Sequence, residues 1–211
     1  VGAVSTAAVK TAAKPAAKAE RIVDDTPVEF ANAAALVRWY KRHHATHAGV
    51  WLRIAKKASG IASIDHPEAL EIALCHGWID GQRKGDGEQY FLQRFTPRTA
   101  RSTWSKINRD KALKLIDDGR MQPAGLAEVE RAKADGRWEA AYDAASVAAV
   151  PPDLQAALDA NKKAAKFFAT LDARNRYAVL FRTQGAKKAE TRARRIAQFV
   201  EMLAKGEKIH P

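Results

Sequence analysis

The stretch WIDGQRKGDGEQYFLQRFTPRTARSTWSKINR, Trp78 to Arg109, holds the densest set of groups able to do chemistry in this chain. It places Trp78, Trp104, Tyr90, Phe91 and Phe95 among six Lys and Arg between Arg83 and Lys106, with Asp80 near its start. Arginine forks take carboxylate or phosphate in two-point fashion, and aromatic faces stack rings. The chemistry implied is capture of an anion, with a ring beside it. The plainer reading is a hairpin whose aromatics are core and whose arginines are solvated or paired.

The elements around the stretch decide which groups can meet. Trp78–Lys84 and Glu88–Pro97 read as two strands around Gly85–Asp86–Gly87, residues that tolerate positive φ in a tight turn. With that three-residue turn Lys84 faces Glu88, Gln82 faces Tyr90, Asp80 faces Leu92 and Trp78 faces Arg94. Asp80 then lies diagonally beside Arg94, and one face presents Trp78, Asp80, Gln82, Tyr90 and Arg94, continued by Thr96 and Arg98. A two-residue Asp86–Gly87 turn would instead send Asp80 and Arg94 to opposite faces. Beyond the hairpin, Arg98, Arg101, Lys106 and Arg109 gather at the entry of a helix from about Ser105 to Asp118, where free backbone N–H groups favour anions.

Upstream, Phe30, Ala34, Val37 and Tyr40 recur at helical spacing, predicting a helix from Val28 to about His44. Gly49–Lys57 alternates as a strand. Asp65 is a good N-cap for a helix with Pro67 in its first turn, Ala69, Ile72, Ala73 and His76 turned inward, and Gly77 as its stop. Downstream, Pro123–Ala134 is helical and closed by Asp-Gly-Arg-Trp. Pro151 to Gly206 is helical in pieces, with Asn161 and Asp172 as caps and a last helix from about Lys187 to Ala204. The fold class expected is α+β: a small antiparallel sheet with a central hairpin packed by helices, followed by a helical C-terminal part. Residues 1–25, rich in Ala and Lys, read as a disordered tail, 26–147 as the α+β domain and 148–211 as a helical C-terminal domain. Ala145–Asp153 is the boundary.

Composition bounds the function. The 211 residues carry a net charge of +12, concentrated in residues 162–211, which hold thirteen Lys and Arg against four Asp and Glu. Such an end suits nucleic acid, anionic lipid or an acidic protein, or serves solubility alone. No run of 18 apolar residues exists and the N-terminal stretch lacks a signal pattern, so a cytoplasmic location is expected. The single cysteine, Cys75, allows no internal disulfide.

Other constellations are weaker. His43 and His47 stand at a spacing that suits zinc but lack a third ligand. Cys75 and His76 point apart on one helix and form no nucleophile–base pair. Asp80 and Glu88 each have a basic neighbour, which argues against an acid–base pair. No Walker, GxSxG or GxGxxG pattern occurs. No cofactor and no metal are expected, no residue is assigned as catalytic, and a binding role is favoured over an enzyme.

Five blocks in order, ALCHGWIDGQRK, YFLQRFTPR, STWSKIN, GRMQPAGLAEVERAKADGRW and ETRARRIAQFVEMLAKGEK, resemble the YdeI/OmpD-associated family of bacterial proteins, often labelled bacteriocin-protection proteins. The resemblance spans about Phe30 to Lys208, and Pro152–Lys208 resembles that family's C-terminal domain. It implies association with protection from cationic antimicrobial peptides or bacteriocins, with no chemical activity generally assigned and a periplasmic location proposed. The family's motif positions carried here are Trp78, Asp80, Gly81, Arg83, Tyr90, Arg94, Phe95, Thr96, Pro97, Arg98, Trp104, Ser105, Lys106 and Asn108. The candidate ligand-binding residues are therefore Trp78, Asp80, Arg83, Tyr90, Arg94, Thr96, Arg98, Trp104, Lys106 and Asn108. Arg94, Arg98 and Lys106 would hold a small phosphate- or carboxylate-bearing anion, Trp78, Tyr90 and Trp104 would form stacking walls, and Asp80 and Asn108 would orient the basic groups. The alternatives are a nucleic-acid-binding module using the hairpin and the basic C-terminal helices, and an enzyme on a phosphorylated or nucleotide-like substrate with Asp80 as base.

Overall fold

The computed structural model describes residues 20–211, so the expected tail lies outside the described residues as far as residue 19. From Ile22 onward the chain runs along the body instead. The Ile22 N–H donates to the Thr46 carbonyl and the Ala48 N–H to the Ile22 carbonyl, each at 2.8 Å.

The elements are β1 (Pro27–Val28), α1 (Ala33–His43), β2 (Val50–Ala55), α2 (His66–Cys75), β3 (Trp78–Asp86), β4 (Tyr90–Pro97), α3 (Lys106–Asp117), α4 (Pro123–Ala134), α5 (Pro152–Asp159), α6 (Lys162–Ala169), α7 (Ala173–Gln184) and α8 (Ala189–Ala204). The class is α+β. The sheet runs β1-β2-β4-β3 and is mixed, because the two-residue β1 lies parallel to β2 while the other pairs are antiparallel. Too short to alternate and opened by a proline, β1 carries no strand signal.

Helix starts follow their caps. Asn32 begins α1, its side chain accepting from the Ala35 N–H at 3.0 Å, so the expected start at Val28 is four residues early and Ala34 faces solvent. Asp65 caps α2 and accepts from the Glu68 N–H at 2.9 Å. Ser105, Asn161 and Asp172 cap α3, α6 and α7 in the same way. Gly77, with φ of 75°, ends α2 in the left-handed conformation that glycine adopts without strain. α2 is buried on more than its expected stripe: Leu70, Leu74 and Cys75 join Ala69, Ile72 and Ala73, because α2 packs against α1, α3, α4 and β3.

Two apolar cores result. The larger joins α1, the sheet, α2, α3 and α4, from Phe30 to Ala141, with Tyr40, Leu52, Trp78 and Phe95 among its most buried side chains. The smaller is formed by α5 to α8, from Leu154 to Leu203.

The hairpin differs from both expected registers. It turns at Gly87–Glu88–Gln89 and pairs Asp86 with Tyr90, Lys84 with Leu92 and Arg83 with Gln93. A bulge between Asp80 and Arg83 then inserts one residue, so Asp80 faces Phe95 and Trp78 faces Pro97. Burial sets this register. Phe91, Gln93 and Phe95 must share the inner face with Leu52 and Ile54 of β2, which outweighs the choice of turn residues.

Candidate functional site

The surface expected as one face is divided by the structure among three places. On the outer face of the sheet lie Tyr90, Arg94 and Thr96. The Arg53 guanidinium covers the Tyr90 ring at 3.7 Å and pairs with Asp86 at 2.5 Å and Glu29 at 2.6 Å. Arg94 pairs with Asp25 at 2.6 Å, so the arginine expected to meet Asp80 or an external anion already faces a carboxylate. Trp78 forms no stacking wall. It is 1% exposed, donates its indole N–H to the His44 carbonyl at 3.1 Å, and meets Trp39 and Tyr40 edge to face.

On the inner face of the hairpin, Asp80 meets His66 Nε2 at 3.1 Å rather than Arg94. Arg83 lies over the Phe91 ring at 3.7 Å.

The third place is the entry to α3. Here Ser105 accepts from the Asn108 N–H at 3.1 Å, so Asn108 enters the geometry through its backbone, and Lys106 pairs with Asp143 at 2.6 Å. Trp104 is 2% exposed, set edge to face against Trp138 and covered by the Arg98 guanidinium at 3.6 Å, so its ring also offers no open wall. Arg98 is itself 5% exposed. Its Nη1 donates to the Thr103 carbonyl at 3.1 Å, while Nε and Nη2 are buried with no hydrogen-bond partner among the described residues. Burial brings its pKa down to about 10, although Glu128, Tyr142 and Asp80 pull the other way. Arg137 lies close by, its Nε donating to both carboxylate oxygens of Asp135 at 2.8 Å and its Nη1 to the Ser102 carbonyl at 2.7 Å.

The segment after α4 completes this place. The Tyr142 N–H donates to the Trp104 carbonyl at 3.0 Å and the Lys106 N–H to the Tyr142 carbonyl at 2.9 Å, which lays residues 142–143 against the start of α3. Tyr142 meets Phe181 of α7 edge to face at 5.0 Å, and the Tyr177 hydroxyl donates to the Asp143 carbonyl at 3.0 Å. Between these parts lies a cleft of about 380 Å³, where Lys106, Arg137 and Lys187 face Glu139 and Asp143, with Tyr142 and Phe181 as aromatic walls. Burial raises the Tyr142 pKa, so its hydroxyl stays protonated and able to donate.

Sequence reasoning found Lys106 and missed Arg137, Tyr142, Phe181 and Lys187. Their approach depends on α7 docking against the segment after α4, which no local spacing encodes. His43 and His47 stack edge to face at 4.6 Å, and among the described residues no group of three or more His, Cys, Asp or Glu is arranged to hold a metal ion.

Residues 147–206 match the family model described as Bacteriocin-protection, YdeI or OmpD-Associated, and residues 28–128 match a domain of unknown function, DUF8412. No curated protein and no solved structure matches the chain. Arg137, Tyr142 and Asp143 fall between the two matched segments, whereas Lys106 lies in the first and Phe181 and Lys187 in the second.

Proposed function

We propose, for a chain whose residues 147–206 match the family model described as Bacteriocin-protection, YdeI or OmpD-Associated, that it protects bacteria by binding a small, ring-bearing anion in the cleft at the α3 entry, without chemical turnover. The observation that carries this is the cleft itself. Its volume suits a small ligand, and three cations stand against two carboxylates beside the rings of Tyr142 and Phe181. Lys187 has no acidic partner among the described residues, and Asp143 holds Lys106 at the rim. Arg98, outside the lining but near Tyr142 and Arg137, adds positive potential. Direct capture of a cationic peptide is disfavoured, because the protein itself carries +12.

We propose the cytoplasm as the place of this action. Cys75 is a buried free thiol, so the fold calls for no oxidising compartment. Among the described residues no helix is long and apolar enough to cross a membrane.

Calorimetric titration with nucleoside monophosphates and aromatic carboxylates tests the reading. At least one should bind the native chain, and the Lys106→Ala/Lys187→Ala variant should lose that binding while melting normally. In bacteria, the same variant should give less protection against bacteriocin than the native chain. Equal affinity in the variant would remove the cleft from the account.

Nucleic-acid binding is a second reading, favoured by Lys162, Lys163, Lys166, Lys188 and Arg194, which have no acidic partner among the described residues. It requires affinity for RNA or DNA that falls steeply between 50 and 200 mM salt. Salt-independent binding, or none, rejects it.

A further inference from the structure

We propose that a second cleft, on the inner face of the hairpin near its turn, is a binding site for the phosphate group of a phosphate monoester. It lies between the end of β2, the start of α2 and the hairpin, and has a volume of about 270 Å³. Lys56, Lys57, Arg83, His66 and Phe91 line it, with Asp65 as the carboxylate on its wall. It shares no lining residue with the cleft at the α3 entry, so the two proposals stand or fall separately.

Its charge is one-sided for a structural reason. Arg83 belongs to the inner face of β3 through its pairing with Gln93, and its guanidinium lies over Phe91 at 3.7 Å with no acidic partner among the described residues. Lys57 stands exposed on a short 3₁₀ turn, also without an acidic partner among them. Lys56 donates to the Gly87 carbonyl at 2.9 Å, which holds its ammonium beside the hairpin tip. Three cations therefore face one carboxylate, and Asp65 has its Oδ1 engaged by the Glu68 N–H.

His66 gives the cleft its selectivity. Its Nε2 meets Asp80 Oδ2 at 3.1 Å, and its ring inclines over Phe95 at 6.2 Å. A carboxylate only accepts, so this pair keeps the ring proton on Nε2 and leaves Nδ1 with its lone pair. Nδ1 makes no hydrogen bond to any described residue. It can accept from the P–OH of a phosphate monoanion, a proton that the dianion lacks. Phosphate monoesters populate both forms near neutral pH, with a second pKa of about 6. Sulfate and carboxylate offer acceptors alone, so the Nδ1 lone pair has nothing to receive from them.

Binding of inorganic phosphate and of sulfate to the full chain, compared at neutral pH and low salt by calorimetry, tests this. The His66 Nδ1 signal would be followed by nitrogen-detected NMR. Phosphate should bind more tightly than sulfate and shift that signal. Arg83→Met and Lys57→Met should each weaken phosphate at least fivefold. Lys208→Met, the same charge change at an exposed position beyond α8, should leave it unaltered. His66→Asn should abolish the preference for phosphate while retaining anion binding. Equal affinity for the two anions in the native chain, an unmoved His66 signal, or Arg83→Met and Lys208→Met behaving alike would overturn the proposal.

Discussion

Gln93 Nε2 stands 3.0 Å from the carbonyl oxygen of Gly81 and 3.2 Å from that of Gln82, so one buried amide ties both carbonyls of the bulge in β3. Backbone groups displaced from a ladder by a bulge need other partners, and a side-chain amide on the neighbouring strand supplies them. This link joins the bulge to the register that puts Asp80 opposite Phe95 and beside His66.

Gln93→Leu should therefore destabilise the protein by about 1–2 kcal/mol, the cost of leaving two carbonyls without their donor. Gln93→Glu should cost more at neutral pH, because a buried carboxylate then faces two acceptors. Part of that loss should return as acidic pH protonates the new side chain. Urea melts at pH 4.5 and pH 7 measure both. A neutral or stabilising Gln93→Glu would mean that the amide does not hold the bulge.

Gly125 marks where α4 crosses α2. A Cβ there would lie 2.3 Å from the Cys75 carbonyl oxygen, 2.6 Å from that of Leu74 and 2.4 Å from Met121 Sδ. Backbone cannot yield as a flexible side chain does, so the helices must part. Gly125→Ala should cost about 2–4 kcal/mol. Gly119→Ala meets no atom within 4 Å and bears only the strain of φ at 68°, about 1 kcal/mol. Equal melting temperatures for the two variants would show that α4 does not approach α2 this closely.

How legible all this was in the sequence depended on distance along the chain. The starts of α2, α3 and α4 were readable because Asp65, Ser105 and Pro123 act on N–H groups or turns within four residues of themselves. The candidate site was less so. Arg94 finds Asp25, 69 residues upstream in what read as tail, and Asp80 finds His66 on the preceding helix. Trp78 and Trp104 carried the signal of an exposed stacking face, yet an aromatic beside a buried helix fits core equally well, and core won. The bulge reversed the alternation on which the facing residues were chosen, and nothing local to Gly81 announces it. What charge and aromatic content did locate is the region, Trp78 to Arg109, whose ends reach both clefts through Arg83 and Lys106.

Acid should weaken the fold through His76. The ring is buried, stacked on Tyr40 at 5.1 Å, with Nδ1 donating to the Ile72 carbonyl at 2.9 Å and Nε2 without a partner among the described residues. Burial pushes its pKa down against the help of the Ile72 carbonyl, and His44 and Lys41 push the same way as burial. A histidine pKa lowered by folding means that the unfolded chain binds the proton more readily. The stability is thus whole above the ordinary histidine value of about 6.5 and is lost as pH falls from there through the lowered folded value. His43, also lowered by burial and by His47 and Arg42, adds to the same slope. The melting temperature should drop between pH 7 and pH 5, and less steeply in His76→Asn, which keeps a donor for Ile72. A slope unchanged by that substitution would place the titration elsewhere.

Arg98 should prove costly to the fold that holds it. The residue is 5% exposed, and among the described residues its guanidinium has no carboxylate in a salt bridge and two of its nitrogens lack partners. Burial brings its pKa down to about 10, which reflects the same penalty against the charged form. Replacing a buried charge by an apolar side chain of similar length often stabilises by about 1–4 kcal/mol. Arg98→Met keeps an unbranched chain over Trp104 and removes the charge, giving up the bond from Nη1 to the Thr103 carbonyl. It should melt several degrees higher than the native chain. Its affinity for an anion in the α3-entry cleft should fall, because a positive charge near that cleft has gone. Higher stability with weaker binding is the pattern of a residue retained for a task at the expense of the fold. A melting temperature that falls in Arg98→Met would instead make the guanidinium a structural strut, its unpaired nitrogens satisfied by buried water.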